Sequence, residues 1–239
     1  MPELAVFSEV DTNRFGKRIY RSFPADVSDV RTIDTLAREK GIDMVIARCP
    51  VEAGRLVQAL EEAGHRLMDT LVHYSGPSNA FEHAAWPHAI RRATASDRDA
   101  LRDIAEGAFT NYQGHYHADP RLDPALATLG YVDWCLSSID KAGHAMWVAT
   151  EGQSVAGFIA VRLDDDVSEI TLNGVGSGFQ RRGIYDSLVK AAGQAAFREG
   201  KSRVQVSTQL SNLAPQKVWT RNGMCLDRAF YTFHKWFEA

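Results

Sequence analysis

Residues 169–200, EITLNGVGSGFQRRGIYDSLVKAAGQAAFREG, contain the pattern in this chain that is best suited to chemistry. They read as a strand, a glycine-containing loop and a long helix that begins after QRRG. The first N–H groups of a helix have no partner within the helix, and the helix dipole adds partial positive charge. Arg181 and Arg182 add full charges, and Gly183 lets a ligand approach the backbone closely. The pattern predicts a cradle for a diphosphate group.

Two common nucleotide-binding patterns are excluded for this segment. Its glycine spacing does not fit G-x-G-x-x-G, and it lacks the lysine and hydroxyl residue of a triphosphate-binding loop. An ordinary strand–helix turn with two solvated arginines stays open as an alternative, because glycine is common in such turns.

The elements that must position this segment are clearest from Ile90 onward. Strand and helix patterns follow in the order β-α-α-β-β-β-α-β-α-β, in which Ser96 or Asp97 caps the first helix and Asp123 caps the second. This order predicts an α/β (α+β) fold in which helices flank a mixed sheet. We assign residues 86–239 to this unit.

Residues 1–85 predict a smaller α/β unit, joined to the rest by the linker SGPSNAFEHAAWP. Strand patterns cover LAVFSEV and KRIYRSF, and a helix is predicted over 29–40. A strand IDMVIAR, a helix EAGRLVQALEEAG and a strand HRLMDTLVHYS follow. The last two resemble the end of the chain, NLAPQKVWTRNGMCLDRAFYTFHKW, in element lengths, which indicates either a degenerate repeat or a chance likeness.

Composition limits the classes of partner. The 239 residues carry a formal net charge of −3, so no overall basic surface attracts nucleic acid. No run approaches the roughly 18 apolar residues of a membrane span. The first residues lack the basic start and long apolar run of a signal peptide. We therefore expect a cytoplasmic protein with neither nucleic acid nor a membrane as partner, and we leave a homodimer open.

Metal binding is not expected. The three cysteines, Cys49, Cys135 and Cys225, are scattered and lie in no Cys/His spacing that is typical of zinc. His115 and His117 are spaced like ligands on a strand, but no third ligand is evident. A polar surface loop is the favoured interpretation of these histidines.

The order of elements from Ile90 onward, with QRRGIY after the fourth strand, resembles the GNAT superfamily of acetyltransferases. That family has Gln or Arg, two residues, Gly, one residue, then Gly or Ala; Gln180 and Gly183 match, whereas Tyr185 replaces the small residue. VSTQLSNLAPQKVWTRNG resembles the fifth strand and the next helix, where the family's pantetheine-contacting Asn is Asn212. The resemblance implies acetyl-CoA as co-substrate. The cofactor-binding residues that it implies are Val175, Gly178, Gln180, Arg181, Arg182, Gly183, Ile184, Tyr185 and Asn212.

The resemblance also implies catalytic residues. Glu169 aligns with the family's general base. Strand alternation predicts that one face is shared by Glu169, Thr171, Asn173 and Val175. An equal alternative to the role of base is that Glu169 is a solvated side chain just after the turn at residues 164–166 (DDD). Trp219 stands where many members carry a tyrosine acid, and core packing is its favoured interpretation. Tyr185, Tyr231 and Ser211 are then candidate proton donors, although the thiolate can also leave unprotonated.

The loop NYQGHYHADPR lies where the family's first two helices border the acceptor. Tyr112 and Tyr116 could stack on a sugar or base, and Arg121 could bind a diphosphate. We add Gln209, of the VSTQ run, to the predicted substrate-binding residues. Together with AFYTFHKW and the small first unit, that run resembles the TDP-fucosamine acetyltransferase family, whose members acetylate a nucleotide-linked amino sugar.

Three functions remain open. The first is acetyl transfer to the primary amine of an amino sugar, nucleotide-linked in the favoured case. The second is transfer to another small amine, such as an amino acid, a polyamine or an antibiotic. The third is a CoA-binding module without turnover. It is suggested by Trp219 and Tyr185, which both depart from the family's pattern.

Overall fold

Ten strands form one mixed sheet in the computed structural model, which describes residues 4–237. The strands are β1 (Ala5–Phe7), β2 (Ile19–Ser22), β3 (Met44–Pro50), β4 (Arg66–Pro77), β5 (Ala89–Arg92), β6 (His144–Glu151), β7 (Ser154–Leu163), β8 (Val167–Val175), β9 (Arg203–Gln209) and β10 (Cys225–Trp236). The helices are α1 (Glu9–Phe15), α2 (Val27–Glu39), α3 (Gly54–Glu62), α4 (Arg98–Phe109), α5 (His115–Ala118), α6 (Pro124–Ser137), α7 (Ile184–Arg198) and α8 (Leu213–Arg221). The predicted mixed sheet with flanking helices is confirmed.

Side-chain caps start several of these helices. The Asp123 carboxylate accepts from the N–H of Ala125 at 2.8 Å, as predicted, and Pro124 occupies the first turn of α6. Before α4, Thr94 and Asp97 form a capping box around a short 3-10 turn, so the helix entry starts earlier than Ser96.

Two local predictions are wrong. The strand expected over LAVFSEV ends at Phe7, because Ser8 caps α1 and its hydroxyl accepts from the N–H of Asp11. The loop expected between the first two helices of the second unit contains the short helix α5, whose first hydrogen bonds run to the carbonyl of Gly114. Both helices are short, and short helices leave little periodic signal in a sequence.

The strand order is β1-β2-β3-β10-β4-β9-β8-β7-β6-β5. The last strand of each half of the chain therefore pairs with the other half. β10 lies between β3 and β4, and β4 lies between β10 and β9, with antiparallel pairing at each contact. The sheet thus joins residues on both sides of the boundary expected near residue 86.

The two helix–strand segments that end the two halves of the chain, α3 with β4 and α8 with β10, have the same construction. α3 and α8 both have nine residues, and β4 and β10 both have twelve. Gly64 and Gly223 connect each helix to its strand with φ of 85° and 79°. Only glycine adopts such angles readily, so both connections depend on it.

Helices cover both faces of the sheet. On one face, α7 and α8 pack over β6–β9, and α2 and α3 pack over β3 and β10. On the other face, α4 and α6 pack over β6–β8, and α1 and α5 pack near β2 and β3. The apolar cores on this second face lie at its two ends, and mostly polar side chains of β9, β4 and β10 separate them.

Candidate active site

The predicted phosphate cradle, residues 178–185, lies at the start of α7. Arg181 and Gly183 have left-handed backbones, with φ of 63° and 81°, and Ile184 begins the helix. A left-handed residue followed by a helical one turns successive N–H groups into one concavity that suits an anion. Within the described residues no side chain caps α7, so the first amides stay available.

The residues around the cradle leave room for a ligand. A Cβ built on Gly178 meets no atom within 4 Å, and one built on Gly183 meets only the His88 ring, at 3.7 Å. Behind the cradle, the Ser187 hydroxyl donates to the Gly183 carbonyl at 3.2 Å and contacts His88 Nδ1 at 2.8 Å. The cradle therefore fits a bound diphosphate.

The two arginines of the cradle have different surroundings. Arg182 pairs with Glu151 at 2.9 Å and donates to the Gly178 carbonyl at 2.7 Å, so it braces the loop. Arg181 is exposed and has no ion pair within residues 4–237. Gln180 donates to the Val175 carbonyl at 3.4 Å and joins the loop to the end of β8. Arg181 is the side chain that remains free to reach a phosphate.

A split between β8 and β9 opens next to the cradle. The two strands pair in parallel only from Val167 to Ile170, so the rest of β8, up to Val175, has no β9 partner. An extended ligand with amide groups can pair with such a free strand edge. Asn212, at the start of α8, borders β9 and donates to Thr208 Oγ1 at 3.0 Å. Val175 and Asn212 thus flank the split, and their contacts with pantetheine stay a prediction.

The prediction that Glu169, Asn173 and Val175 share one face is wrong. The pairing of β7 with β8 shifts by one residue at Thr171, which forms a bulge. A bulge adds one residue and reverses the side-chain alternation beyond it. Asn173 and Val175 consequently point toward the α7 face, whereas Glu169 points toward the α4–α6 face.

Glu169 lies on the open floor of this second face. Its carboxylate pairs with Arg162 at 2.6 Å, and its side chain is 26% exposed. Side chains of neighbouring strands continue the floor in register with it. We call this surface the acceptor groove and define it by Glu169, Gln205, Ser207, Gln209, His73, Asp69 and Thr232.

Tyr185 and Trp219 form a pair between α7 and α8. The Trp219 indole N–H donates to the Tyr185 hydroxyl at 2.7 Å. Trp219 is 1% exposed, which confirms the predicted core packing. Burial raises the pKa of Tyr185, so its hydroxyl keeps a proton that it can donate elsewhere.

Two of the predicted acceptor contacts come together in the groove. The Tyr112 hydroxyl donates to Gln209 Oε1, and Gln209 Nε2 donates to Asp69 at 3.3 Å. Burial raises the pKa of Tyr112 to about 12, so it acts as a neutral donor.

The structure places the other two predicted acceptor contacts, Tyr116 and Arg121, outside the groove. Tyr116 is buried, where its hydroxyl donates to Asp11 at 2.7 Å and accepts from Arg21. Arg121 stacks on Trp236 at 4.4 Å. Trp236 lies four residues beyond Thr232, the groove residue on β10, so roughly 13 Å of strand separates Arg121 from the groove. The histidine prediction also fails in part, because His115 is buried and bonds to His234 at 2.9 Å.

The groove also contains residues that the sequence analysis did not single out. Arg48 and Thr232 lie side by side on β3 and β10. Arg48 is the one charge in an otherwise apolar strand, MVIARCP, and that contrast was a usable signal. Thr232 in AFYTFHKW carries no such signal.

Residues 4–237 contain neither a cluster of metal ligands nor a membrane-spanning helix. No group of three or more His, Cys, Asp or Glu side chains is arranged to hold a metal ion there. Among those same residues, no helix is long and apolar enough to cross a membrane.

Comparisons with known proteins agree with this geometry. The spore coat polysaccharide biosynthesis protein SpsD of Bacillus subtilis (strain 168) is 21% identical over 197 residues, which are 81% of this chain and 67% of SpsD. A conserved protein of unknown function from Staphylococcus epidermidis ATCC 12228 shares the fold with a TM-score of 0.71 and 14% identity, over 100% of this chain and 93% of that one.

A GCN5-related N-acetyltransferase from Kribbella flavida also shares the fold, with a TM-score of 0.64 and 16% identity over 90% of this chain and 81% of that one. The acetyltransferase (GNAT) family matches residues 99–224, more than half of the chain. This match includes the cradle, the split between β8 and β9, and α8. The protein therefore belongs to the GNAT family of acetyltransferases.

Proposed function

We propose that the protein transfers an acetyl group from acetyl-CoA to the primary amine of a small molecule, in the favoured case a nucleotide-linked amino sugar. The observation that carries this proposal is the continuity of three features. The uncapped amides of α7 lie beside the free edge of β8, and that edge opens on a groove with a carboxylate, Glu169, on its floor.

The cradle and the split hold the donor in this proposal. Acetyl-CoA supplies an acetyl group that is activated as a thioester. The amides of Gly183, Ile184 and Tyr185 bind its diphosphate, with Arg181 adding charge from outside. The backbone of β8 at Val175 and the side chain of Asn212 bind the pantetheine arm.

Glu169 and Tyr185 handle the protons. Glu169 takes a proton from the acceptor's ammonium group, since only the neutral amine has a lone pair for attack. Tyr185 passes a proton to the departing thiolate and takes up the second proton that the nitrogen loses as the amide forms. Its raised pKa keeps the hydroxyl protonated before this transfer, and the hydroxyl already accepts a hydrogen bond from Trp219. Asn173 lies on the opposite face from Glu169, so we assign it to positioning the acyl group rather than to the acceptor.

The acceptor binds beside Tyr112 and Gln209. These residues offer an aromatic ring, a hydroxyl and an amide, a set that suits a polyhydroxylated ring. The name of SpsD assigns that protein to polysaccharide biosynthesis, which agrees with a sugar acceptor. Another small amine is the second candidate, because the same groups bind many polar molecules.

Release of free CoA thiol tests the proposal. The purified chain is incubated with acetyl-CoA and a panel of amines that covers amino sugars, nucleotide-linked amino sugars, amino acids and polyamines. Thiol release that depends on a nucleotide-linked amino sugar supports the favoured function, and release with another amine supports the second candidate. Tight acetyl-CoA binding with no release across the panel would identify a CoA-binding module instead.

A further inference from the structure

Three polar side chains cross the inner end of the acceptor groove in one row. Arg48 on β3 lies opposite Thr232 on β10, and Thr232 lies opposite Asp69 on β4. Opposed residues on neighbouring strands place their side chains about 5 Å apart on the same face. We call these three residues the Arg48 row.

Each member of the row has a buried polar atom without a hydrogen-bond partner among residues 4–237. The atoms are Arg48 Nε, Thr232 Oγ1 and Asp69 Oδ1. His117 lies on the helix α5, which packs against β4, and both of its ring nitrogens also lack a hydrogen-bond partner among these residues. Buried polar groups are normally satisfied, so a cluster of unsatisfied ones indicates that a ligand completes it.

The charges around Arg48 favour an anion. Burial, and then repulsion from Arg21, lower the pKa of Arg48, whereas Asp69 alone of the nearby carboxylates supports its charge. Asp11 is already held by Arg21 and Tyr116. His115, on the same cavity, stays neutral because burial lowers its pKa. Arg48 therefore lacks a full counter-charge.

A small cavity of about 20 Å³ lies against Arg48, Arg21 and His115. A cavity of this size holds about one oxygen atom. His115 donates or accepts along a chain to His234 and Asp119, with distances of 2.9 and 2.8 Å. Arg21 is already paired with Asp11, so Arg48 is the guanidinium on this cavity that has no ion pair within residues 4–237.

The row is continuous with the predicted acceptor contacts. Gln209 bonds Asp69 directly, and Tyr112 bonds Gln209. The strands from β9 through β4 and β10 to β3 are spaced about 4.8 Å apart, which sets Arg48 about 14 Å from the split in which acetyl transfer is proposed.

We propose that the Arg48 row binds the far end of the acceptor, and that this end carries an oxyanion, a carboxylate or a phosphate, held by Arg48. A hydroxyl of the acceptor donates to Asp69, and Thr232 bonds either group. The amine then lies on the order of 10 Å from the oxyanion, given the strand spacing and the reach of the arginine. This inference rests on the proposed function, because it assumes that the groove receives the acceptor.

Thermal unfolding of the full chain tests it. CoA is kept saturating so that the cradle at α7 is filled, and acetate or inorganic phosphate is then titrated at constant ionic strength. We expect a saturable rise in melting temperature with at least one of the two anions. The rise should be lost in Arg48→Gln and kept in Arg92→Gln, which removes an exposed arginine that stacks on Trp147 outside the groove.

The responses to the two anions show which oxyanion, if any, binds Arg48. A response to acetate alone assigns a carboxylate, and a response to phosphate alone assigns a phosphate. No response in the wild type, or an equal response in Arg48→Gln, overturns the inference and leaves water as the occupant of the cavity. The step of adding CoA reports separately on the proposed function, since CoA should stabilise the chain whether or not the anions do.

Stability without anion distinguishes binding from a structural role. Removing an unsatisfied buried group should leave the melting temperature of Arg48→Gln equal to or above that of the wild type. A large decrease would show that Arg48 serves the fold. Thr232→Val, which keeps the side-chain shape and deletes the unsatisfied hydroxyl, is the second variant. It should fold and show a weaker anion response, and an undiminished response would remove Thr232 from the row.

Discussion

At the scale of single residues, the bulge at Thr171 decides which side chains of β8 face the acceptor. It turns Glu169 into the groove and turns Asn173 away from it. Arg162 holds the Glu169 carboxylate at the floor of the groove, and Asp164 holds the same guanidinium from the other side. Two carboxylates therefore share one partner, but only one of them is in the groove.

This arrangement gives a matched test of the general base. Glu169→Gln should lower kcat/KM by on the order of a hundredfold and remove the rise of the rate with pH, because a carboxamide cannot accept the proton. The measurement is the pH–rate profile of thiol release. Asp164→Asn disturbs the same arginine and should leave the profile unchanged. Equal profiles for the wild type and Glu169→Gln would assign the base to another group.

His73 gives a prediction for stability against pH. Burial, and then repulsion from Arg228 and Arg48, lower its pKa from 6.5 to about 4. Between these values the unfolded chain binds a proton that the folded chain does not, so stability should fall as the pH drops from 6.5 to 4. A shift of this size corresponds to roughly 3 kcal/mol, and His115 acts in the same direction.

Urea unfolding at pH 7 and pH 4.5 measures this effect. His73→Gln should lose less stability between the two pH values than the wild type does. His83, whose side chain is 92% exposed, provides the control, because His83→Gln should follow the wild type. If His73→Gln loses as much stability between pH 7 and pH 4.5 as the wild type does, His73 takes up its proton as readily in the folded chain as in the unfolded chain.

At the scale of elements, the two ends of α7 each depend on a left-handed glycine. Gly183 starts the helix with φ 81°, and Gly200 follows its end with φ 73°. Alanine at either position costs about 1–2 kcal/mol, because its Cβ crowds the backbone in the left-handed region. Only Gly183 lies in the cradle.

Gly183→Ala and Gly200→Ala should therefore lower the melting temperature to a similar extent and differ in kinetics. Gly183→Ala should raise the KM for acetyl-CoA several-fold, since it distorts the amides that bind the diphosphate. Gly200→Ala should leave that KM unchanged. Equal KM values for both variants would move the diphosphate away from the start of α7.

The cradle could be predicted from sequence because it is local. Gly183, the paired arginines and the following helix are adjacent in the chain, and their physics does not depend on distant residues. The face of Glu169 could not be predicted, because one extra residue at Thr171 leaves no mark in an alternating strand. The Arg48 row could not be predicted for another reason. Its three strands are separated by many residues in the chain, and they become neighbours only because β10 inserts between β3 and β4.

At the scale of the whole molecule, the exchanged strands connect the acceptor groove to both halves of the chain. β10 contributes Thr232 to the groove on one face and Phe233 to the core beneath α2 and α3 on the other. Each half therefore supplies part of the other's packing. We propose that the two sequence units, 1–85 and 86–239, unfold together.

Phe233→Ala tests this coupling. Phe233 is 0% exposed, and truncating a buried phenylalanine costs about 3–5 kcal/mol. A single transition should shift to lower denaturant in both far-UV circular dichroism and tryptophan fluorescence. Two separated transitions, with the first-half core lost while the α7 core persists, would show that the units are independent.

The position of β10 also has a consequence during synthesis. About 150 residues separate the end of β4 at Pro77 from the start of β10 at Cys225, and the ribosome needs roughly 7–30 seconds to add them. During that interval β3 and β4 lack the strand that lies between them, and both present open hydrogen-bonding edges. We therefore expect the nascent first half to keep two unpaired strand edges, which favour association with other chains, until β10 has been synthesised.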